Sequence, residues 1–334
     1  MAPGTQTDAP SSEELILGFL AEAGEEFTSG EAISNKLGLS RTAVWKNVES
    51  LRGKGYVIEA VPARGYRLVE IPDRLTELEL SPLLNTHDFG RTLHALDEVG
   101  STSDEASQLA LEGAEHGETV VAEMQTSGRG RRGRAWVSPP GKNLYLSIVL
   151  RPELPPQRAP ELTFVAAVAV AETLIEANVP AQIKWPNDIV VEDKKVAGIL
   201  TELHAEPERV QAVILGIGVN LNLTEKDLPS ELRAIATSAL LVRGASVPRA
   251  LFTAALLARL EHWYDRHAEE GFEPICARWR ELTCTLDRQV RVSTGGKELI
   301  GVAQDVDNSG ALMVAVGDEL VRVVAGDVEL LRPV

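Results

Sequence analysis

Cysteine is almost missing from this 334-residue chain: there are two, Cys276 and Cys284, and neither lies in a metal-ligand spacing. That excludes a disulfide framework and a cysteine-built zinc site, and two idle thiols fit a reducing compartment, the cytoplasm. Long apolar runs are missing as well. No stretch approaches the roughly 20 residues that span a bilayer. The opening MAPGTQTDAPSSEE has neither the apolar core nor the basic leader of a secretion signal, so no membrane partner is expected. Positive charge is the minority sign, 33 Lys and Arg against 49 Asp and Glu, for a formal net charge of −16. This excludes a surface wholly adapted to nucleic acid but leaves room for a local basic face. There is no repeat of solenoid period.

What is present divides into segments. The length allows two or three domains at about 100–200 residues each, and a composition 44% hydrophobic and 25% charged gives them cores. Residues 1–11, rich in Ala, Pro, Thr and Gly, are expected to be disordered. Residues 12–72 begin with SSEELILGFLAEAG, a Ser/Glu capping signature with Leu15, Ile16, Phe19 and Leu20 on one face. TSGEAISNKLGLS offers a short helix with Ile33 and Leu37 inward, ended by Gly38. Ser40 then caps RTAVWKNVESLRGKG, where Val44, Val48 and Leu51 keep helical spacing. YVIEAV and YRLVEI read as strands joined at Pro62-Ala63-Arg64-Gly65. Helix, helix, turn, helix, hairpin is the order of a winged helix-turn-helix. From Lys36 to Arg67 seven basic residues meet two acidic ones, a local net charge of +5. Arg41, Thr42, Trp45 and Lys46 then face outward where a recognition helix meets operator DNA, and Arg64 stands on the wing tip. A winged helix used only for protein contacts is the alternative.

After a linker over residues 73–91, residues 92–285 alternate strands with helices. TVVAEMQ, NLYLSIVL, AQIKW, DIVVEDKKVAGILTEL and RVQAVILGIGVNLN read as strands, and LTFVAAVAVAETLIEANV as a helix with Phe164, Val168, Ala171 and Ile175 on a seam. The Glu192-Asp193 turn joins neighbouring strands, which makes the sheet antiparallel or mixed and the fold class α+β. Residues 286–334 hold about five short strands punctuated by Gly295-Gly296, Asn308-Ser309-Gly310 and Gly317-Asp318, the pattern of a small SH3-like β-barrel.

The chemistry gathers in the middle segment. SGRGRRGRAW, Ser127 to Trp136, puts four arginines and three glycines between two core strands. Gly128, Gly130 and Gly133 allow successive backbone N–H groups to turn toward one anion, and the arginines add fork-shaped donors for phosphate. No Gly-Lys-Ser/Thr opens a helix there, so it is not a P-loop; a solvated Arg/Gly loop without a ligand is the bland alternative. KWPND, Lys184 to Asp188, suits a nucleotide with Mg²⁺, with Lys184 on phosphate and Asn187 or Asp188 on the metal or its waters. An ordinary Asn-Asp turn reads the same residues without a ligand. KKVAGIL places Lys195 at a strand start, and Gly198 leaves room for close approach of a ligand.

Taken together, STS (Ser101–Ser103), AEMQTSGRGRRGRAW, KWPNDIVVEDKKVAGILTEL and GIGVNLN (Gly216–Asn222) stand in the order found in biotin protein ligases, and the chain resembles them across its length. With the winged helix, it is similar to the bifunctional bacterial form that also represses the biotin operon. The resemblance implies a class II synthetase-like catalytic domain that activates biotin with MgATP to biotinyl-5′-adenylate. The acyl group then passes to one lysine of a biotin carboxyl carrier protein. It implies Lys195 at the biotin carboxylate and α-phosphate, and Arg129 and Arg131 as catalytic cations on a ligand-ordered loop with Arg132 and Arg134. Ser101, Thr102 and Gln125 would hold the ureido ring, with Ser103, Gly128, Gly130, Gly198, Gly216 and Gly218 along the biotin site. Trp136, Lys184, Asn187, Asp188 and Asn220 would lie at the nucleotide, Asp188 being the candidate metal ligand. An adenylate-bound homodimer is implied as the DNA-binding species. STS replaces the family's frequent Ser-Thr-Asn and Ala135 a common lysine. A biotin sensor with little ligase activity, and a lipoate or octanoate transferase, stay open as other readings of the same residues.

Overall fold

A computed structural model describes residues 11–206, 209–294 and 297–331, and the chain divides into two compact units after Asp73. The expected disordered terminus 1–11 lies outside the described residues except for Ser11, which is the first helix cap.

In the smaller unit, α1 (Ser12–Ala23), α2 (Gly30–Leu37) and α3 (Arg41–Gly53) each follow a serine. The hydroxyls of Ser11, Ser29 and Ser40 accept the backbone N–H of Glu14, Ala32 and Ala43, satisfying one orphan donor at each helix start. Ile16, Leu17, Leu20, Ile33, Val44, Val48 and Leu51 form the core. The face expected for α1 is rotated: Leu15 is exposed and Leu17 takes the inward place, because α2 and α3 pack on the i, i+1, i+4 side. The wing is β1 (Val57–Val61) and β2 (Gly65–Glu70), antiparallel. Thr28 and Tyr66 exchange both backbone hydrogen bonds, at 2.8 and 2.9 Å, and tie the segment before α2 to the hairpin. Gly65 has φ +109°, and a Cβ there would collide with the Thr28 carbonyl.

The larger unit opens with α4 (Glu77–Leu80). The expected linker 73–91 is a correction: Leu75, Leu80 and Phe89 are buried in the main core, and the Leu75 N–H donates to Glu123 Oε1 at 2.7 Å. A seven-stranded sheet follows, built from β3 (Leu93–Val99), β4 (Thr119–Gln125), β5 (Leu144–Leu150), β6 (Gln182–Lys184), β7 (Asp188–Val191), β8 (Lys194–Ala205) and β9 (Val210–Val219). Its order is β3-β4-β5-β9-β8-β7-β6, antiparallel except for the β3–β4 pair, so of the two expected forms it is the mixed one, with the Glu192-Asp193 turn joining an antiparallel pair. Both turn residues have positive φ, the backbone a two-residue hairpin needs. The connection between parallel β3 and β4 is α5 (Thr102–Glu112), which covers one face with Ala106 against Val120, Val149 and Ile214.

The other face carries α6 (Glu161–Glu176), with α7 (Ala239–Arg243), α8 (Arg249–Glu270) and α9 (Glu273–Leu282) following later in the chain. α6 is buried nearly all round rather than along one seam, since α8 and α9 close over its back, and Ile175 faces out. The last strands, β10 (Gln289–Thr294), β11 (Lys297–Val306), β12 (Leu312–Val316), β13 (Glu319–Val323) and β14 (Asp327–Leu330), make one antiparallel sheet ordered β13-β12-β11-β10-β14, the SH3-like element. The expected turn at Gly295-Gly296 lies outside the described residues. This sheet shares its core with the large one: Val290, Val292 and Val314 belong to the same cluster as α6. Among the described residues no helix is long and apolar enough to cross a membrane.

Candidate active site and nucleic-acid face

One cavity of about 430 Å³ collects residues from the four motifs: Ser101, Thr102, Ser103, Gln125, Arg129, Gly130, Arg131, Arg134, Trp136, Lys184, Asn187, Asp188, Lys195, Gly198, Gly216, Gly218 and Asn220 all line it. Strand register explains the convergence. Gly198 on β8 lies opposite Gly218 on β9, and Gly216 lies opposite Ser147 on β5, so three glycines leave a floor without side chains. The Trp136 indole rests on that floor, where a Cβ on Gly218 would stand 2.6 Å from the ring and one on Gly198 3.2 Å. A Cβ on Gly216 would stand 2.6 Å from Ser103 Oγ.

The cavity has two chemically different ends. At one, buried hydroxyls surround an amide. Gln125 Oε1 accepts from the Thr102 N–H (2.9 Å) and hydroxyl (3.1 Å), while Gln125 Nε2 donates to Ser138 Oγ (3.0 Å). Ser147 Oγ donates to Thr102 Oγ1 at 2.9 Å and lies 3.1 Å from Ser103 Oγ. Such a network fixes a small neutral polar head by hydrogen bonds rather than by charge. Ser147 and Ser138 were not singled out from sequence, because one serine inside the apolar run LYLSIVL carries no signal until the fold turns it toward α5.

At the other end stand the cations. Lys195 Nζ is 2.6 Å from Asp188 Oδ1 and 5.2 Å from the centre of the Trp136 ring. Arg131 donates to Asn187 Oδ1 at 2.9 Å, and Asn187 Nδ2 donates to the Ile199 carbonyl at 2.7 Å. Burial pulls the Arg131 guanidinium below its ordinary value, with Arg132 pushing the same way, so this cation gains from any anion that enters. Arg129 is already served: it bonds Asp104 and, at 3.1 Å, Glu202, and the Asp104 bond chiefly holds its guanidinium above the ordinary value.

Several expectations change here. The Arg/Gly loop is a small hairpin, not a cradle of N–H groups, because the Gly130 N–H is spent on the Arg134 carbonyl (2.7 Å) and the Trp136 N–H on that of Gly128 (2.8 Å). Gly128 sits behind the cavity, packed by Ser138, Trp136 and Gln125, and Arg132 does not line it but bonds Asp327, which does. Arg132 and Arg134 both reach Asp327 Oδ2 on β14, at 2.9 and 2.6 Å, a partner about two hundred residues on that sequence reasoning missed. The Asn220 amide donates to the Thr237 carbonyl (3.0 Å), which makes it a bracket for the segment that closes the cavity. That segment was not placed from sequence. Leu223, Leu228, Leu232, Ile235 and Ala236 wall the site, pinned by the Lys195 N–H on the Ile235 carbonyl (2.8 Å) and the Thr237 N–H on that of Lys195 (2.9 Å). Among the described residues no cluster of three or more His, Cys, Asp or Glu forms a metal site, and the Asp188 carboxylate is engaged by Lys195.

On the smaller unit, Arg41, Thr42, Trp45 and Lys46 are exposed on the first turns of α3, and Arg64 is exposed at the wing tip. The basic face is leaner than a count over residues 36–67 implies. Lys36, Arg41 and Lys54 pair with Glu22, Glu31 and Glu13 from α1 and α2, and Arg52 and Arg67 with Glu49 and Glu59. Among the described residues Lys46 and Arg64 stay outside any such pair.

Comparison with known proteins matches the Biotin/lipoate A/B protein ligase family at residues 98–220, an HTH domain at 13–67 and the biotin protein ligase C-terminal domain at 285–331. The bifunctional ligase/repressor BirA of Bacillus subtilis is 40% identical over 94% of this chain and 97% of its own. A biotin–[acetyl-CoA-carboxylase] ligase from Mycobacterium tuberculosis is 34% identical over 72% of this chain and 90% of its own. The solved biotin protein ligase from Aquifex aeolicus, in complex with biotin and ATP, superposes with a TM-score of 0.63 at 28% identity, over 72% of this chain and 99% of that one.

Proposed function

The chain belongs to the bifunctional ligase/repressor group of the biotin protein ligases, and from that premise we propose which residues carry each activity. The protein activates biotin with ATP to biotinyl-5′-adenylate and transfers the biotinyl group to a lysine of a biotin carboxyl carrier protein. It also acts as a DNA-binding repressor through its helix-turn-helix.

In the first step a carboxylate oxygen bonds to the α-phosphorus and pyrophosphate leaves. Two anions must meet, so fixed cations at the junction supply most of the rate. The observation that carries the assignment is that Lys195, 2.6 Å from Asp188 and 5.2 Å from the centre of the Trp136 ring, lines the same cavity as Thr102, Gln125 and Arg131. Thr102, Gln125 and Ser147 hold the ureido head, with Ser101 and Ser103 beside them. Lys195 neutralises the carboxylate and the α-phosphate as they approach, Arg131 and Arg129 flank them, and Arg134 and Lys184 face the outgoing phosphates. Trp136 covers the adenylate. In the second step the carrier's lysine nitrogen bonds to the acyl carbon and AMP leaves, so no covalent bond to the enzyme is needed. Asn187 and Asp188 together offer too few oxygens for an all-protein cage, which fits Mg²⁺ held mainly by phosphates and water. When bound it neutralises phosphate charge.

Adenylate-bound homodimerisation belongs to the same reading. β7 pairs with β8 no further than Gly198, so Thr201–Ala205 form an open strand edge among the described residues. Glu202 on that edge holds Arg129 of the ligand loop. Action on operator DNA puts the protein in the cytoplasm. The test is biotin-dependent exchange of pyrophosphate into ATP, with lipoate failing to replace biotin. Lys195→Ala should lower exchange about 10²–10³-fold with an unchanged melting curve; near wild-type exchange would remove Lys195 from the mechanism.

A further inference from the structure

Resting on the reading of the smaller unit as a DNA-binding module, we propose that Phe27 is a positioning residue of the wing, holding the Arg64 guanidinium ready for the nucleic-acid backbone. The Arg64 guanidinium carbon stands 4.2 Å from the centre of the Phe27 ring and that of Arg67 4.9 Å. Phe27 is fixed in turn by its neighbour Thr28, whose two backbone hydrogen bonds to Tyr66 stitch this segment to β2. The two arginines differ in what else they touch. Arg67 reaches the Glu59 carboxylate at 2.6 Å, while Arg64, exposed at the tip, has no carboxylate partner among the described residues.

That difference sets their roles. A carboxylate neutralises a guanidinium and occupies its N–H donors, and must be given up when a phosphate arrives. An aromatic face attracts the cation without using any N–H, so all five donors stay free. It also narrows the freedom of a long exposed side chain that would otherwise be ordered only on binding. Of the seven basic residues between Lys36 and Arg67, five are paired, so among the described residues Arg64 is one of two charges there without a carboxylate partner. Its placement by Phe27 therefore weighs heavily in the affinity of the whole module.

The experiment titrates the full chain, with biotin, ATP and Mg²⁺, against a random-sequence duplex at several salt concentrations. Arg64→Ala should make the slope of log K against log salt shallower by about 0.9 for each wing engaged. Phe27→Leu keeps apolar bulk but loses the ring's face; it should weaken binding about two- to fivefold at moderate salt, and add nothing in the Arg64→Ala background. Phe27→Tyr, which keeps the ring, should bind as wild type. A merely structural Phe27 would tolerate Leu, or would weaken the Arg64→Ala protein as much as the wild type, and either result overturns the proposal. Should Phe27→Leu fail to fold, as its melting curve reports, an unchanged salt slope in Arg64→Ala, or a Phe27→Tyr protein as weak as Arg64→Ala, overturns it instead. A wild-type chain that does not bind the duplex overturns the reading of the module and the proposal with it.

Discussion

A glycine at position 216 is required by its neighbours rather than by its backbone angles. A Cβ would stand 2.6 Å from Ser103 Oγ and 3.6 Å from Ser147 Oγ, inside the hydroxyl network assigned to the ureido head. Gly216→Ala is therefore expected to raise the KM for biotin at least tenfold, about 1.4 kcal/mol, with the KM for ATP little changed. Pyrophosphate-exchange kinetics measure both, and an unchanged biotin KM in a folded variant would refute the clash. At this scale much was legible: Lys195, Arg131, Gln125 and the three floor glycines stand in motifs, and they line one cavity. Residues whose role rests on a distant partner were not legible. Ser147 looks like a polar lapse in an apolar strand, and Asp327 lies far along the chain from the arginines it holds.

Turns tie the elements together, and the one after β11 shows how. Asp307 accepts hydrogen bonds from the Ser309 N–H and hydroxyl, from the Ala311 N–H and from Arg322. Burial pushes its carboxyl up, but the Ser309 and Arg322 bonds outweigh it and bring the pKa down to about 2. The folded value lies below the roughly 3.9 of an unfolded aspartate. The stabilisation is therefore fully present above about pH 4 and lost as pH falls toward 2. Asp307→Asn should cost about 1–2 kcal/mol at pH 7, allowing for partial exposure of the carboxylate, and the gap to wild type should close near pH 2. Urea denaturation across that range reads it; a gap independent of pH would contradict the assignment. The sequence marked Asn308-Ser309-Gly310 as a turn. It gave no sign that the Gly310 carbonyl accepts the Trp185 indole N–H at 3.0 Å, or that Gly310 packs on Phe164 and locks the small sheet to the large one. Periodicity reports local structure, and these contacts are not local.

At the scale of the molecule, division into two compact units predicts how ligands act on stability. Biotin has its proposed contacts in the larger unit, so at a hundred times its Kd it should stabilise that unit by about 2.7 kcal/mol. Calorimetry of the full chain should show its transition rise while that of the smaller unit keeps its midpoint; equal shifts in both would refute independent units. The order of segments was readable because each carries its own periodicity. The stretch after Asn222 was not, since backbone bonds to Lys195 hold its cavity wall and its own pattern is weak. The Asp327 contact has a last consequence, for truncation. The recognisable ligase motifs end at Asn222, yet the counter-charge for two of their arginines lies more than a hundred residues further on. A catalytic segment cut free of the terminal sheet would leave both arginines without this carboxylate. The terminal sheet is thus tied to the catalytic loop by charge as well as to the large sheet by their common core.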